Sequence, residues 1–190
     1  MTTSAAPGLL TPEATPASRL ARLVDALRAD VRLGLAPEPT ARLVARTLGP
    51  YLGTPGLLTP AQREGDPEGY RQHVLHAEAD GSFSLVALVW LPGQHTPVHD
   101  HVSWCVTGVH EGTESERRYV LVPDGRAARL VAVEDVVNPQ GTVAAFAPPG
   151  DIHLVRNDGP GPAVSFHVYG ADISRLGSSI RRVYDLPADR

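Results

Sequence analysis

FSLVALVWLPGQHTPVHDH, residues 83–101, is the stretch on which the fold of this chain turns. Its first half, FSLVALVWL, is a continuous apolar run with the length and composition of a buried strand. Pro92-Gly93 breaks that run, and a His-Asp-His triplet closes the segment. Alternate residues of a strand face the same way, so His99 and His101 share a face and Asp100 points to the other. Two imidazoles at this spacing can hold one metal ion from a single strand.

Short apolar runs continue on both sides. Upstream, YRQHVLHAE (70–78) reads as a partner strand, with Asp80-Gly81 marking the turn between them. Downstream come VSWCVTGVHEG, ERRYVLVP, ARLVAVEDVV, TVAAFAP, IHLVRN and AVSFHVYG. Turns at Pro-Asp-Gly, Asn-Pro-Gln-Gly, Pro-Pro-Gly and Asn-Asp-Gly separate them. Eight or so strands punctuated this way predict a mainly β fold, a jelly-roll or double-stranded β-helix barrel. SSIRRVYDL follows as a last short helix or strand. Ahead of the barrel, residues 17–33 place Leu20, Leu23, Val24, Leu27 and Val31 at helical spacing, and residues 39–48 repeat the pattern. Pro37, Pro39, Pro50 and Pro55 cut this part into two or three short helices, expected to cover one face of a sheet. The expected organisation is a single domain: a loose N-terminus over 1–16, helices over 17–55, barrel core over 70–170 and a C-terminal tail over 171–190.

Composition narrows the function. The chain has 190 residues and a net charge of −4, with no basic block, which excludes nucleic acid and anionic membrane surfaces as expected partners. No apolar run reaches the ~18 residues of a membrane span. Residues 1–18, MTTSAAPGLLTPEATPAS, lack a basic start followed by an apolar stretch, so no signal peptide is expected. Cys105 is the single cysteine; no intrachain disulfide can form, and a reducing, cytoplasmic setting is expected. None of this sets an oligomeric state.

A second segment joins the first. Pro149-Gly150-Asp151-Ile152-His153 follows a turn and enters an apolar strand ending at Asn157. Gly93 to Gly112 reads G-x5-H-x-H-x3-C-x6-G, and Gly141 to Asn157 reads G-x7-P-G-x2-H-x3-N. These blocks resemble the paired motifs of the cupin superfamily over roughly residues 83–170. The resemblance implies a metal held by His99, His101 and His153. One departure stands out: cupins commonly carry a Glu ligand where this chain has Cys105. The implied shell is then three neutral imidazoles, which suit Fe, Zn, Cu and Ni alike. Three protein ligands leave open positions, as a catalytic metal requires. His73, His76, His95 and His110 have no partner motif and read as surface or satisfied polar residues.

Ser165-Phe166-His167-Val168-Tyr169 places three polar groups on one face of a strand. Buried there, they must hydrogen-bond to one another or be costly. They read either as a satisfied polar ladder or as a relay in which Ser165 orients His167, and His167 orients the Tyr169 hydroxyl. No carboxylate lies on that line, so this is not a nucleophilic triad. Three His in the two blocks, Cys in place of Glu, and S-x-H-x-Y downstream together resemble the thiol dioxygenases. That group includes cysteine dioxygenase and the bacterial 3-mercaptopropionate dioxygenases, and YRQHVLH with the segment at 83–101 is more similar to the latter. The resemblance covers about residues 70–170. It implies Fe(II) as cofactor, a small thiol carboxylate and O₂ as substrates, and a sulfinic acid as product, with 3-mercaptopropionate ahead of L-cysteine. Three neutral ligands would leave the metal charge uncompensated and favour an anionic thiolate.

The same resemblance implies substrate contacts. Mercaptopropionate-type members carry a Gln on the strand before the metal strand and cysteine-type members an Arg. Gln72 falls at that position and Arg71 beside it, with only one able to face inward; Gln72 is the expected one. Arg175, Arg181 and Arg182 are candidates for the substrate carboxylate, or are solvated charges. Cys105 is either a small buried hydrophobe or, as in animal cysteine dioxygenases, one end of a thioether to the relay tyrosine, here Tyr169. Two rival functions are a three-His zinc hydrolase, which needs a general base that the sequence does not show, and a non-catalytic ligand-binding cupin.

Overall fold

A computed structural model describes residues 16–125, 127–185 and 188–189; the expectation for residues 1–15 lies outside them. Two helices come first, α1 (Pro16–Val31) and α2 (Pro37–Leu48). α1 stops where Gly34 takes a positive φ of 64°, a conformation that only glycine adopts cheaply. α2 starts on Pro37, whose missing N–H is no loss in a first turn, and ends before Pro50, which turns the chain into a single 3-10 turn, Gly49–Tyr51. A second such turn, Pro60–Arg63, carries a capping box between Thr59 and Gln62.

Among the described residues, eleven strands follow. They are β1 (Arg71–Ala77), β2 (Ser84–Trp90), β3 (His99–His101), β4 (Cys105–Glu111), β5 (Thr113–Asp124) and β6 (Ala127–Pro139), then β7 (Val143–Phe146), β8 (His153–Arg156), β9 (Ala163–Tyr169), β10 (Ile180–Val183) and β11 (Ala188–Asp189). A one-turn helix, α3 (Ile173–Leu176), sits between β9 and β10. The strands form two sheets, ordered β1-β2-β9-β4-β7 and β10-β3-β8-β5-β6-β11. Pairing is antiparallel except where β11 meets β6. This is the mainly β, double-stranded β-helix architecture that the spacing of turns predicts.

The two faces of the five-stranded sheet do different work. On the outer face, Leu85, Ala87, Val89, Val106, Phe166 and Val168 pack against Leu23, Val24, Leu27, Val44 and Leu48 of the helices, all buried. Each leucine so buried contributes roughly 1.5–3 kcal/mol. Arg28 and His76 both reach Glu78, pinning α1 to the end of β1. The inner face carries Val86, Leu88, Trp90, Cys105 and Tyr169. Within SSIRRVYDL, Ile180–Val183 form a strand, β10, laid antiparallel on β3.

Candidate metal centre

β3 and β8 meet at one register pair, His99 opposite His153. That pair, with His101 one pleat along, brings three imidazoles together. Their ring centroids lie 4.9, 4.7 and 5.0 Å apart, close to an equilateral triangle. One ligand atom from each falls within 4.8 Å of the others, and all three residues are buried.

Each ring uses Nδ1 for something else. His99 Nδ1 lies 3.0 Å from the Pro97 carbonyl, His101 Nδ1 3.0 Å from Asp151 Oδ2, and His153 Nδ1 2.7 Å from Glu116 Oε1. Donation to those acceptors fixes the proton on Nδ1 and leaves Nε2 with its lone pair, the tautomer a metal ligand needs. Burial, then the neighbouring imidazoles, hold His99 down to about 3. Burial likewise lowers His153. Asp151 and Glu116 keep their charge: burial opposes it, but hydrogen bonds from His101 in one case, and from His153 and Arg118 in the other, hold each carboxyl below its ordinary range. The three imidazoles are neutral, and two carboxylates stand directly behind them, Glu116 being paired with Arg118 as well. The donor set fits a transition-metal ion with open coordination positions.

The inner face of β9 forms the next wall. Ser165 Oγ lies 3.0 Å from His167 Nε2, and His167 Nδ1 lies 3.0 Å from Tyr169 Oη. All three are buried. Burial, with the three nearby imidazoles, keeps His167 neutral, and burial raises the Tyr169 phenol well above its ordinary value. The His101 and Tyr169 rings are 6.0 Å apart. Trp90 Nε1 donates to Ser165 Oγ at 3.1 Å. Cys105 lies opposite Tyr169 in the β4–β9 register and is a free, buried thiol; burial pushes its pKa well up.

A small cavity opens on the three histidines, and Tyr70, Gln72, Leu88, Trp90, Thr96, Val155, His167, Tyr169, Ser179 and Ile180 complete its lining. Gln72 therefore reaches the cavity. Arg71, its exposed strand neighbour, does not line it. Nor do the other candidate arginines. Arg175 pairs with Asp172, the cap of α3. Arg181 binds the buried Asp100 carboxylate, which also accepts from Tyr184 Oη at 2.8 Å. Arg182 stacks over the Tyr184 ring, 4.6 Å from its centroid. No arginine is found among the described residues lining the cavity. Asp100 does point away from His99 and His101, its buried carboxylate paired with the half-exposed Arg181. His110 is a satisfied buried residue, accepting from the Gly53 N–H at 3.2 Å.

The sequence reasoning missed Asp151, Glu116, Glu114, Tyr70, Trp90 and Ser179. A signal existed for two of them: E-S-E over 114–116 is a pair of acids on one face of a strand, costly if that face is buried.

Known proteins bear on this arrangement. The sequence profile of cysteine dioxygenase type I matches residues 62–178. Among solved structures, a Thermus thermophilus protein aligns at 24% identity over 60% of this chain and 96% of its own, with a TM-score of 0.44. A cupin 2 conserved barrel domain protein from Salinispora arenicola aligns at 20% over 63% and 89%, with a TM-score of 0.41. A double-stranded β-helix domain protein from Klebsiella pneumoniae aligns at 19% over 60% and 84%, with a TM-score of 0.45.

Proposed function

The chain belongs to the cysteine dioxygenase type I family, and on that premise we propose that it is an Fe(II)-dependent thiol dioxygenase acting on a small thiol carboxylate, 3-mercaptopropionate before L-cysteine. The observation that carries this reading is one cavity lined by both the three-histidine cluster and the Tyr169 end of the buried Ser165–His167–Tyr169 line. His99, His101 and His153 would hold the metal through Nε2. Iron held there would supply a site for the thiolate and for O₂ and the redox capacity for the four-electron oxidation of sulfur, RS⁻ + O₂ → RSO₂⁻, in which both oxygen atoms end on sulfur.

The protein's own groups supply orientation and proton control. Tyr169 presents its hydroxyl at the wall of the cavity with His167 behind it. Tyr70, Leu88, Trp90 and Val155 make the remaining surface largely apolar, excluding water from a reactive thiolate. Gln72 and the Ser179 hydroxyl are neutral donors for a carboxylate. The lack of an arginine at the β1 position that faces inward favours 3-mercaptopropionate over cysteine.

A zinc hydrolase would need a general base beside the metal's open positions. Asp151 and Glu116 are spent on the ligand histidines, and no carboxylate is found among the described residues lining the cavity. The Cys105–Tyr169 register is the one a thioether between them would use, and peptide mass spectrometry after turnover reads it out: separate, unmodified peptides would sink it. The buried thiol fits a reducing, cytoplasmic setting.

Metal analysis, followed by O₂ uptake with 3-mercaptopropionate, L-cysteine and cysteamine on the Fe(II)-loaded protein, tests the reading. We expect thiol-dependent uptake, fastest with 3-mercaptopropionate. Zinc-only occupancy, or no uptake with any thiol, contradicts it.

A further inference from the structure

β5 carries two buried acids at alternate positions, Glu114 at 3% and Glu116 at 4% exposure. Glu116 has two partners, His153 and Arg118. Glu114 has no cation among the described residues that act on it. Its Oε1 lacks a hydrogen-bond partner among the described residues. The polar groups that act on it are Ser165 from β9, Trp90 from β2 and the like-charged Glu116 on its own strand; Asn138 lies opposite it on β6. His167 stands behind Ser165. A carboxyl so placed, off the β9 line but against its far end, completes a chain from β5 to the cavity.

Counting protons along that chain shows what it can do. Trp90 Nε1 only donates: it lies 3.1 Å from Ser165 Oγ and also acts as a donor toward the Glu114 carboxyl. Ser165 has one hydroxyl proton and two takers, Glu114 and His167 Nε2. His167 is neutral and carries one ring proton. With Glu114 ionised, Ser165 donates to the carboxylate, His167 Nε2–H donates to Ser165, and the bare Nδ1 accepts the Tyr169 hydroxyl proton. With Glu114 protonated, the acid donates to Ser165, Ser165 donates to Nε2, and Nδ1–H donates to Tyr169 Oη. The Tyr169 O–H is then released toward the cavity and Ser179.

We propose that Glu114 is a positioning residue whose protonation state selects the tautomer of His167, and so decides whether Tyr169 turns its O–H to His167 or into the metal cavity. Burial, aided by Glu116 and opposed by Ser165 and Trp90, pushes the Glu114 carboxyl up to about 7, which places the switch at neutral pH. The effect on rate rests on the dioxygenase reading; the tautomer is a property of the chain without it.

The test is a pH series of ¹⁵N-histidine NMR spectra on the full-length, metal-free protein, with His167 assigned by its loss in His167→Asn. We expect the His167 proton to move from Nδ1 to Nε2 with a midpoint near neutrality. Glu114→Gln, whose amide N–H donates to Ser165 as the protonated acid does, should hold the proton on Nδ1 throughout. One tautomer at every pH in the wild type overturns the proposal without any variant, and so does a transition that persists in Glu114→Gln. On the Fe(II)-loaded protein, kcat should fall roughly tenfold per pH unit above the transition, and this limb should vanish in Glu114→Gln; a limb that survives there overturns the proposal as well. A tautomer switch in a protein that oxidises no thiol would contradict the dioxygenase reading and leave the switch standing. Thiol oxidation without a tautomer switch would do the reverse.

Discussion

The acceptor behind each ligand histidine decides which nitrogen is free, and that makes the carboxylates behind the ligands the most sensitive residues after the ligands themselves. Asp151→Asn and Glu116→Gln should each weaken metal binding by about 10- to 100-fold, read by chelator competition, with the fold intact; unchanged affinity would mean the ligand rings are oriented by something else. Tyr169→Phe should keep the metal and lower kcat by about 10²-fold. An unchanged kcat in that variant contradicts a role for the hydroxyl. The three-histidine cluster was legible because H-x-H and P-G-x2-H are local patterns. Their carboxylate partners were not. Glu116 reaches His153 across 37 residues and Asp151 reaches His101 across 50, distances over which one sequence carries no pairing information. Glu114 was not legible for the same reason: β5 delivers it to the far end of a line that is written on β9.

Among the elements, β9 was the easiest to read and β10 the hardest. Period-two alternation in AVSFHVYG fixes Phe166 and Val168 against the helices and Ser165, His167 and Tyr169 inward, and the structure keeps that division. SSIRRVYDL has no such alternation, and its arginines looked available to a substrate. β10 instead pairs with β3, and its job is to close the sheet beside the metal strand: Arg181 and Tyr184 both serve the Asp100 carboxylate that points away from the ligands. Removing Arg181 leaves a buried charge with one neutral partner. Arg181→Ala should therefore lower Tm by several degrees while leaving KM for the thiol unchanged. A raised KM at unchanged Tm would make Arg181 a substrate contact after all.

For the whole molecule, buried titratable groups tie stability to pH. Burial holds His99, His110, His153 and His167 below their ordinary value, so below about pH 6.5 the unfolded chain binds protons that the folded chain refuses. Each such group costs up to about 1.4 kcal/mol per pH unit. Glu114 acts in the opposite sense, since its raised pKa makes the folded state bind a proton first between about 4.5 and 7. Four groups against one leaves a net loss on acidification. The Tm of the metal-free protein should fall from pH 7 to pH 5, and fall more steeply in Glu114→Gln; a flat profile contradicts this balance. The barrel and helices that set these burials were readable from turn spacing and periodicity, whereas the balance depends on which polar groups the closed barrel traps together. The central claim is that this barrel adds both atoms of O₂ to one sulfur. Turnover of 3-mercaptopropionate by the Fe(II)-loaded protein under ¹⁸O₂, read by mass spectrometry of the product, tests it most directly. The account predicts a sulfinate carrying two labelled oxygens; a disulfide, a singly labelled product or unlabelled sulfinate would contradict it.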